Sequence, residues 1–392
     1  MSISSRASCS RKSTARWNGA CRSRRRPRTT PAASPRPREP LVSRLLQAGD
    51  ACIVAQHQPA LVLDYARSRE LAPRAILAGS GMDDLQAPHA QQAITPTEYL
   101  QLLANVAAGL TSAETSFMLG QQMLPGHFGA LSHALMQAHS LREAIALLVR
   151  FQMQLCPLLA PRFREEGALA VLYWTDSFGA GAQRGFLVEM HMTAMTAMCR
   201  WLGGERLPWR YCFNRTPPRY TEQHEVHLGE QLRFHCHLDA MLIDAAWLDR
   251  PWPRANAMAA AVARRGVDAA HAGGQRSLLC ALYDYLLEHI GSAPTLEQCA
   301  IQFGVSPATL KRHLARHGSH FQAELDQVRA HVALHLFHGG RHDNDAVARH
   351  LGFHDANNFR RSFKRWTGMT PMLLRQSLQA YRLQSGDTSA II

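Results

Sequence analysis

Asp345-Ala346-Val347-Ala348-Arg349-His350-Leu351-Gly352-Phe353-His354-Asp355-Ala356-Asn357-Asn358-Phe359-Arg360-Arg361-Ser362-Phe363-Lys364-Arg365-Trp366 is the stretch that decides the reading of this chain. Val347, Ala348 and Leu351 supply one apolar helical face, Gly352 breaks the helix, and Asp355 caps the next one. In that second helix Phe359, Phe363 and Trp366 fall on one side and Asn357, Arg360, Arg361, Lys364 and Arg365 on the other. A helix that reads DNA needs this division. Its apolar side holds it on the domain, and its bases and amides reach base edges in the major groove.

The same geometry occurs upstream, in Thr295-Leu296-Glu297-Gln298-Cys299-Ala300-Ile301-Gln302-Phe303-Gly304-Val305-Ser306-Pro307-Ala308-Thr309-Leu310-Lys311-Arg312-His313-Leu314. Thr295 caps a helix that stops at Gly304, and Ser306 caps a second with Pro307 at its first position, where a missing N–H is harmless. Leu310 and Leu314 point to a core, leaving Ala308, Lys311, Arg312 and Arg316 for the groove side. Between the two units, Phe321–Phe337 reads as an unbroken connecting helix, followed by the helix-breaking pair Gly339-Gly340.

These segments, with Asn358-Phe359-x-Arg361-x-Phe363-Lys364-x-Trp366-x-Gly368-x-Thr370-Pro371 and Arg375, resemble the DNA-binding domain of the AraC/XylS family from about Arg276 to Arg375. The resemblance implies two helix-turn-helix units that enter successive major grooves of double-stranded DNA. It implies Ala308, Lys311, Arg312, Asn357, Arg360 and Arg361 as base readers. Ser306, Thr309, Arg316, Asn358, Lys364 and Arg365 are then phosphate contacts. Two departures stand out: Ala308 is small enough to limit reading there to a thymine methyl, and His342-Asp343-Asn344 is polar where many members have a more apolar lead into the helix. The same resemblance implies an effector-responsive activator of a metabolic or virulence operon, working with RNA polymerase, as a monomer or a homodimer.

Composition bounds the rest. A chain of 392 residues suffices for two domains. Residues 1–40 hold ten Arg and Lys12 against Glu39, residues 41–275 are nearly neutral, and residues 276–392 are mildly basic. The net charge of +13 therefore resides mostly in the tail and says little about DNA by itself. That tail, rich in Arg, Ser and Pro, is expected to be disordered; it reads as a basic arm, a transit segment or a dispensable extension. No run approaches a membrane span, no signal-peptide core is present, and the nine scattered cysteines suit reduced thiols, so a cytoplasmic, nucleoid-associated protein with no membrane contact is expected.

Residues 41–262 read as an α+β effector-binding or dimerisation domain, 263–275 as a linker, 276–383 as an all-α DNA-binding domain with its two units joined by a linker helix, and 384–392 as a tail. Helical spacing marks Thr95–Ala108, Leu131–Gln154 and Met190–Leu202; strands are expected in Leu169–Trp174, Trp209–Phe213 and Gln231–Phe234. Gly129–Phe151 and Phe234–Pro253, with Leu248-Asp249-Arg250-Pro251, resemble the arabinose-binding-like effector domain of one branch of the family, which implies a small-molecule effector. Trp174, Trp201 and Trp209 are candidates to line a pocket, with packing in a core the commoner use of such residues. His224-x-x-His227 and His235-Cys236-His237 lack the further ligands of a closed zinc site, so no metal is expected. His331, His335 and His338 read as a polar face of the connector. No nucleophile elbow, P-loop or dinucleotide fingerprint is present, so neither catalytic residues nor a cofactor are expected. Two rival readings are a central domain that only dimerises and an enzyme domain fused to a DNA-binding module.

Overall fold

Leu169-Ala170-Val171-Leu172-Tyr173-Trp174 shows no alternation of polar and apolar residues because both of its faces are covered. The computed structural model describes residues 41–81, 93–123, 126–270, 275–338 and 342–376, all within one compact unit. The expectations for residues 1–40, Gly339-Gly340 and 384–392 concern residues outside those described.

The first half is built on a small sheet surrounded by helices. β1 (Ile53–Val54) and β2 (Ala93–Ile94) form a short antiparallel pair. α1 (Gln58–Ser68), α2 (Pro73–Leu77), α3 (Pro96–Leu110) and α4 (Thr115–Gln122) precede α5 (Ala130–Met136), α6 (Leu141–Arg150) and α7 (Gln152–Leu155). The main sheet is β3 (Leu159–Glu166), β4 (Leu169–Asp176), β5 (Arg210–Cys212), β6 (Leu232–Arg233) and β7 (Ala240–Asp244), in the order β3-β4-β7-β5-β6. All pairings are antiparallel except β5 with β6. α8 (Arg184–Gly203) and α9 (Glu222–Leu228) lie between strands in sequence, and α10 (Ala257–Ala270) follows the sheet. Gly120 lets α4 approach α8, since a β-carbon there would sit 2.7 Å from Thr193 Cβ.

One face of the sheet, through Ala170, Leu172, Trp174, Tyr211, Met241 and Ile243, joins the main core of this half. The other face carries Val171, Tyr173, Ala240 and Leu242, and it meets the helical second half: α11 (Leu278–His289), α12 (Leu296–Phe303), α13 (Pro307–Arg316), α14 (Phe321–His338), α15 (Asn344–His350) and α16 (Ala356–Thr367). Tyr173 Oη lies 3.2 Å from Tyr283 Oη on α11, which lies 2.9 Å from His331 Nδ1 on α14. Arg162 pairs with Asp284 of α11, with its guanidinium over the Tyr283 ring. His317, just past α13, sets Nδ1 3.1 Å from the Phe178 carbonyl and Nε2 3.1 Å from Gln47 Oε1.

Several expectations change. Leu131–Gln154 divides into three helices because Ser140 starts a new one, accepting from the Glu143 N–H. Trp209–Phe213 and Gln231–Phe234 each shorten to their central residues. β3 carries Pro161, which an edge strand tolerates, and four charges, so its pattern hides a strand. The linker expected over 263–275 begins instead inside α10, whose alanine content favours helix despite Gly266. Val42 and Leu45, ahead of the first half, pack into the core of the second, and the Leu46 N–H donates to the Arg276 carbonyl. Trp174 and Trp209 are core residues, and Trp201 lies at the surface beneath the Arg254 guanidinium; none of the three lines the cavity between the sheet and α14.

His331 departs most from its expected place. It is buried rather than on a solvated face, and burial, aided by Arg184, Arg164 and Arg162, pushes its pKa down to about 3. Burial likewise lowers His317, and brings His191 in the first core to about 4. All three are therefore neutral in the folded state, whereas an unfolded histidine takes up its proton near pH 6.5. Their stabilisation is complete above about pH 7 and is lost as pH falls below that value, at up to about 1.4 kcal/mol per pH unit for each group. Thermal melts between pH 8 and 5 should show a falling midpoint below pH 6.5, and His331→Gln should make the slope shallower.

Candidate nucleic-acid interface

Two helix pairs present the residues singled out by the sequence. Thr295 begins α12 with a reciprocal cap, its side chain accepting from the Gln298 N–H while the Gln298 side chain accepts from the Thr295 N–H. Gly304, at φ +71°, ends α12 in the left-handed conformation. Ser306 then caps α13, accepting from the Thr309 N–H at 3.1 Å, with Pro307 at the first position.

The second unit repeats this construction. Asp343 caps α15 by accepting from the Ala346 N–H, so the polar lead His342-Asp343-Asn344 serves as a helix start. Gly352, at φ +72°, turns the chain where a β-carbon would lie 2.9 Å from Ala293 Cβ. Asp355 caps α16, taking the Asn358 N–H on Oδ1 and the Asn358 side-chain amide on Oδ2. Gly368 closes α16 at φ +70°.

The inner sides of α13 and α16 are dry. Leu310, Leu314, Phe359 and Phe363 are all at 0% exposure. Phe337 of α14 meets both Phe359 and Phe363, with ring centroids 6.0 and 5.6 Å away. Trp366 is half-buried against Phe353.

On the outer sides, Ala308, Lys311, Arg312 and Arg316 of α13 are exposed, as are Asn357, Asn358, Arg360, Arg361, Lys364 and Arg365 of α16. Ser306 is exposed and Thr309 half-buried, their hydroxyl oxygens 2.9 Å apart. Among the described residues, Lys311, Arg312, Arg316, Arg360, Arg361 and Lys364 form no ion pair. Arg365 alone is paired, with Asp326 of α14 at 2.9 Å. His313 shares α13 with these cations, and its pKa is lowered by partial burial and by Arg316 and Arg312. Asp326 had no mark in the sequence, since its meaning comes from a residue 39 positions away. It ties α14 to α16, while Arg375, just past α16, donates to the His342 carbonyl and to Asn344 Oδ1 at the start of α15.

The histidine clusters have other partners. His224 Nε2 lies 3.0 Å from Glu189, and His227 Nδ1 lies 2.8 Å from the Gln121 amide. Among the described residues no group of three or more His, Cys, Asp or Glu is placed to hold a metal ion, and no helix is long and apolar enough to cross a membrane.

Comparison with known proteins matches both halves in order. Residues 71–252 match the family described as the arabinose-binding domain of AraC transcription regulator, N-terminal, and residues 299–377 match a helix-turn-helix domain family. The chain is 27% identical over 283 residues to the ornithine utilization regulator of Pseudomonas aeruginosa, covering 71% of this chain and 84% of that one. It is 36% identical over 103 residues to the HTH-type transcriptional activator RhaS of Escherichia fergusonii, covering 25% of this chain and 36% of that one. The crystal structure of the transcriptional regulator CdpR from Pseudomonas aeruginosa aligns over 81% of this chain and 96% of that one, with TM-score 0.40 and 18% identity. An N-terminal arabinose-binding-type domain followed by paired helix-turn-helix units makes this chain a member of the AraC family of DNA-binding transcription regulators.

Proposed function

We propose that this regulator grips an asymmetric DNA site with α13 and α16 in successive major grooves, under control of a small-molecule effector held by its first half. The observation that carries the reading is the division of both helices: buried leucines or phenylalanines inside, and six cations outside that have no ionic partner among the described residues. Clustered unpaired cations repel one another, and a polyanion relieves that repulsion while releasing its own counterions. Lys311, Arg312, Arg360 and Arg361 then read base edges together with Asn357, and Ala308 offers its methyl group to thymine. Arg316, Lys364, Ser306, Thr309, Asn358 and Arg365 hold phosphates and set the register, with Arg365 exchanging Asp326 for a phosphate oxygen.

The chain acts by binding rather than by catalysis, in the cytoplasm on the nucleoid, and activates transcription through contact with RNA polymerase. The relative named for ornithine utilization favours a metabolic operon as the target. Homodimerisation belongs to the same reading and is checked by mass measurement with and without DNA.

Arg312→Ala and Arg361→Ala test the reading. Each is expected to relax preference at particular base pairs and to cost about 1–3 kcal/mol in affinity. Binding to a randomised-site library separates the outcomes, because a uniform loss across all sequences makes these residues phosphate clamps instead.

A further inference from the structure

A cavity outside the exposed faces of α13 and α16 separates the sheet from the connecting helix. It occupies about 290 Å³ between the second face of the sheet and the DNA-binding half, close to the lower end of the range for small-ligand pockets. Tyr173 and Leu242 of the sheet form one wall, and Leu334 of α14 with Leu374, just past the second unit, forms the other. The lining is mainly apolar, with a few polar groups, the composition typical of organic-ligand sites.

The charges in this cleft are unequally satisfied. Arg162, beside the cleft, is paired with Asp284, and within it the carboxylate of Glu166 lies 2.6 Å from His335 Nδ1. Arg164, two residues along β3 on the same face, lines the cleft half-buried and has no carboxylate or hydrogen-bond partner among the described residues. Arg233 adds a second positive charge to the lining, and His237 presents a buried Nε2 with no hydrogen-bond partner. A guanidinium held half out of water beside an apolar wall lacks a compensating anion, which a carboxylate supplies in bidentate geometry.

We propose that this cleft binds a small amphipathic carboxylate, its charged end on Arg164 and its apolar body between the sheet and α14. The proposal rests on the reading of the chain as an effector-responsive regulator and gives that effector a place and a chemical class. α14 joins the two reading units, so a ligand lodged between it and the sheet touches the element that sets their relative position. Its binding and DNA binding are then coupled, each changing the other's affinity by the same factor.

Calorimetric titration of the full chain with hexanoate, octanoate and decanoate, their amides and inorganic phosphate tests this. Expected are one site per chain, affinity rising with chain length, and amides at least tenfold weaker. Arg164→Met should lose tenfold or more while Arg164→Lys recovers most of it, and Leu334→Trp should abolish binding by filling the cleft. Arg164→Met, at a half-buried position, keeps the test valid should Leu334→Trp fail to fold. Equal binding of acids and amides, equal binding of phosphate, unchanged affinity in Arg164→Met, or no binding by any of the acids overturns the proposal. Promoter binding by the same preparations separates the two levels: bound DNA without carboxylate binding removes only this site, whereas no DNA binding at all removes the reading beneath it.

Discussion

Gly179→Ala should destabilise the chain by about 3 kcal/mol and loosen the two halves from each other. Gly179 has φ +89°, and an added β-carbon would overlap the His317 carbonyl oxygen and lie 2.8 Å from its carbonyl carbon. Neither partner can yield easily. The Asp176 carboxylate accepts from the N–H groups of Phe178, Gly179 and Ala180 and fixes the loop. His317 is pinned by its two ring contacts at the end of the first reading helix. Gly167→Ala is the control: it has a similar left-handed backbone, at φ +63°, with nothing within 4 Å of the new carbon. It should cost only the backbone strain, about 1 kcal/mol. Calorimetry should show one transition in the parent and in Gly167→Ala, and two separated transitions in Gly179→Ala.

Phe363→Ala should cost about 3–5 kcal/mol, the usual range for a fully buried phenylalanine. Its ring is fully buried, 5.6 Å from both Phe337 and Phe359, so removal opens a cavity where α14 supports the second reading helix. In the single transition of a chain this size, that loss lowers the melting midpoint by about 5 °C or more. Arg361, two residues earlier, points the other way. Arg361→Ala should leave the midpoint unchanged while altering sequence preference, and Phe363→Ala should weaken binding to every sequence as the helix loses its support. Melting curves and binding isotherms on the same samples distinguish the two.

The second half of this chain could be read from its sequence because its signals are local. Thr295, Ser306 and Asp355 cap helices within three residues of themselves, Gly304 and Gly352 end them, and Leu310, Leu314, Phe359 and Phe363 recur at helical spacing. The exposed faces of α13 and α16 follow from the same spacing, since an exposed face is whatever the buried face leaves over, while the roles of their residues toward DNA came from the family resemblance. β4 was legible as a continuous apolar run. β3 was not, because Pro161 and its charges are tolerated only at a sheet edge, and edge position is a property of the finished sheet. α10 was missed from Gly266 onward, where glycines and a lack of periodicity suggested a linker while alanines carried the helix on.

The contact between halves left no pattern at all. Arg162 finds Asp284 122 positions away, and His317 finds the Phe178 carbonyl 139 positions away. His331 looked like part of a polar stripe because spacing shows which residues share a face, not what covers it. The cleft at Arg164 arises from the same long-range packing, which no local run of aromatic residues marks, and Trp174, Trp201 and Trp209 lie in the core or at the surface instead.

DNA recognition in this form requires α13 and α16 each to enter a major groove. Hydroxyl-radical footprinting and guanine-methylation interference with the full chain on a bound promoter test this most directly. Two patches of major-groove contact on one face of the duplex, about 10 base pairs apart, are predicted, with the patch nearer one end lost in Arg312→Ala and the other in Arg361→Ala. A single patch that both variants weaken alike would contradict it.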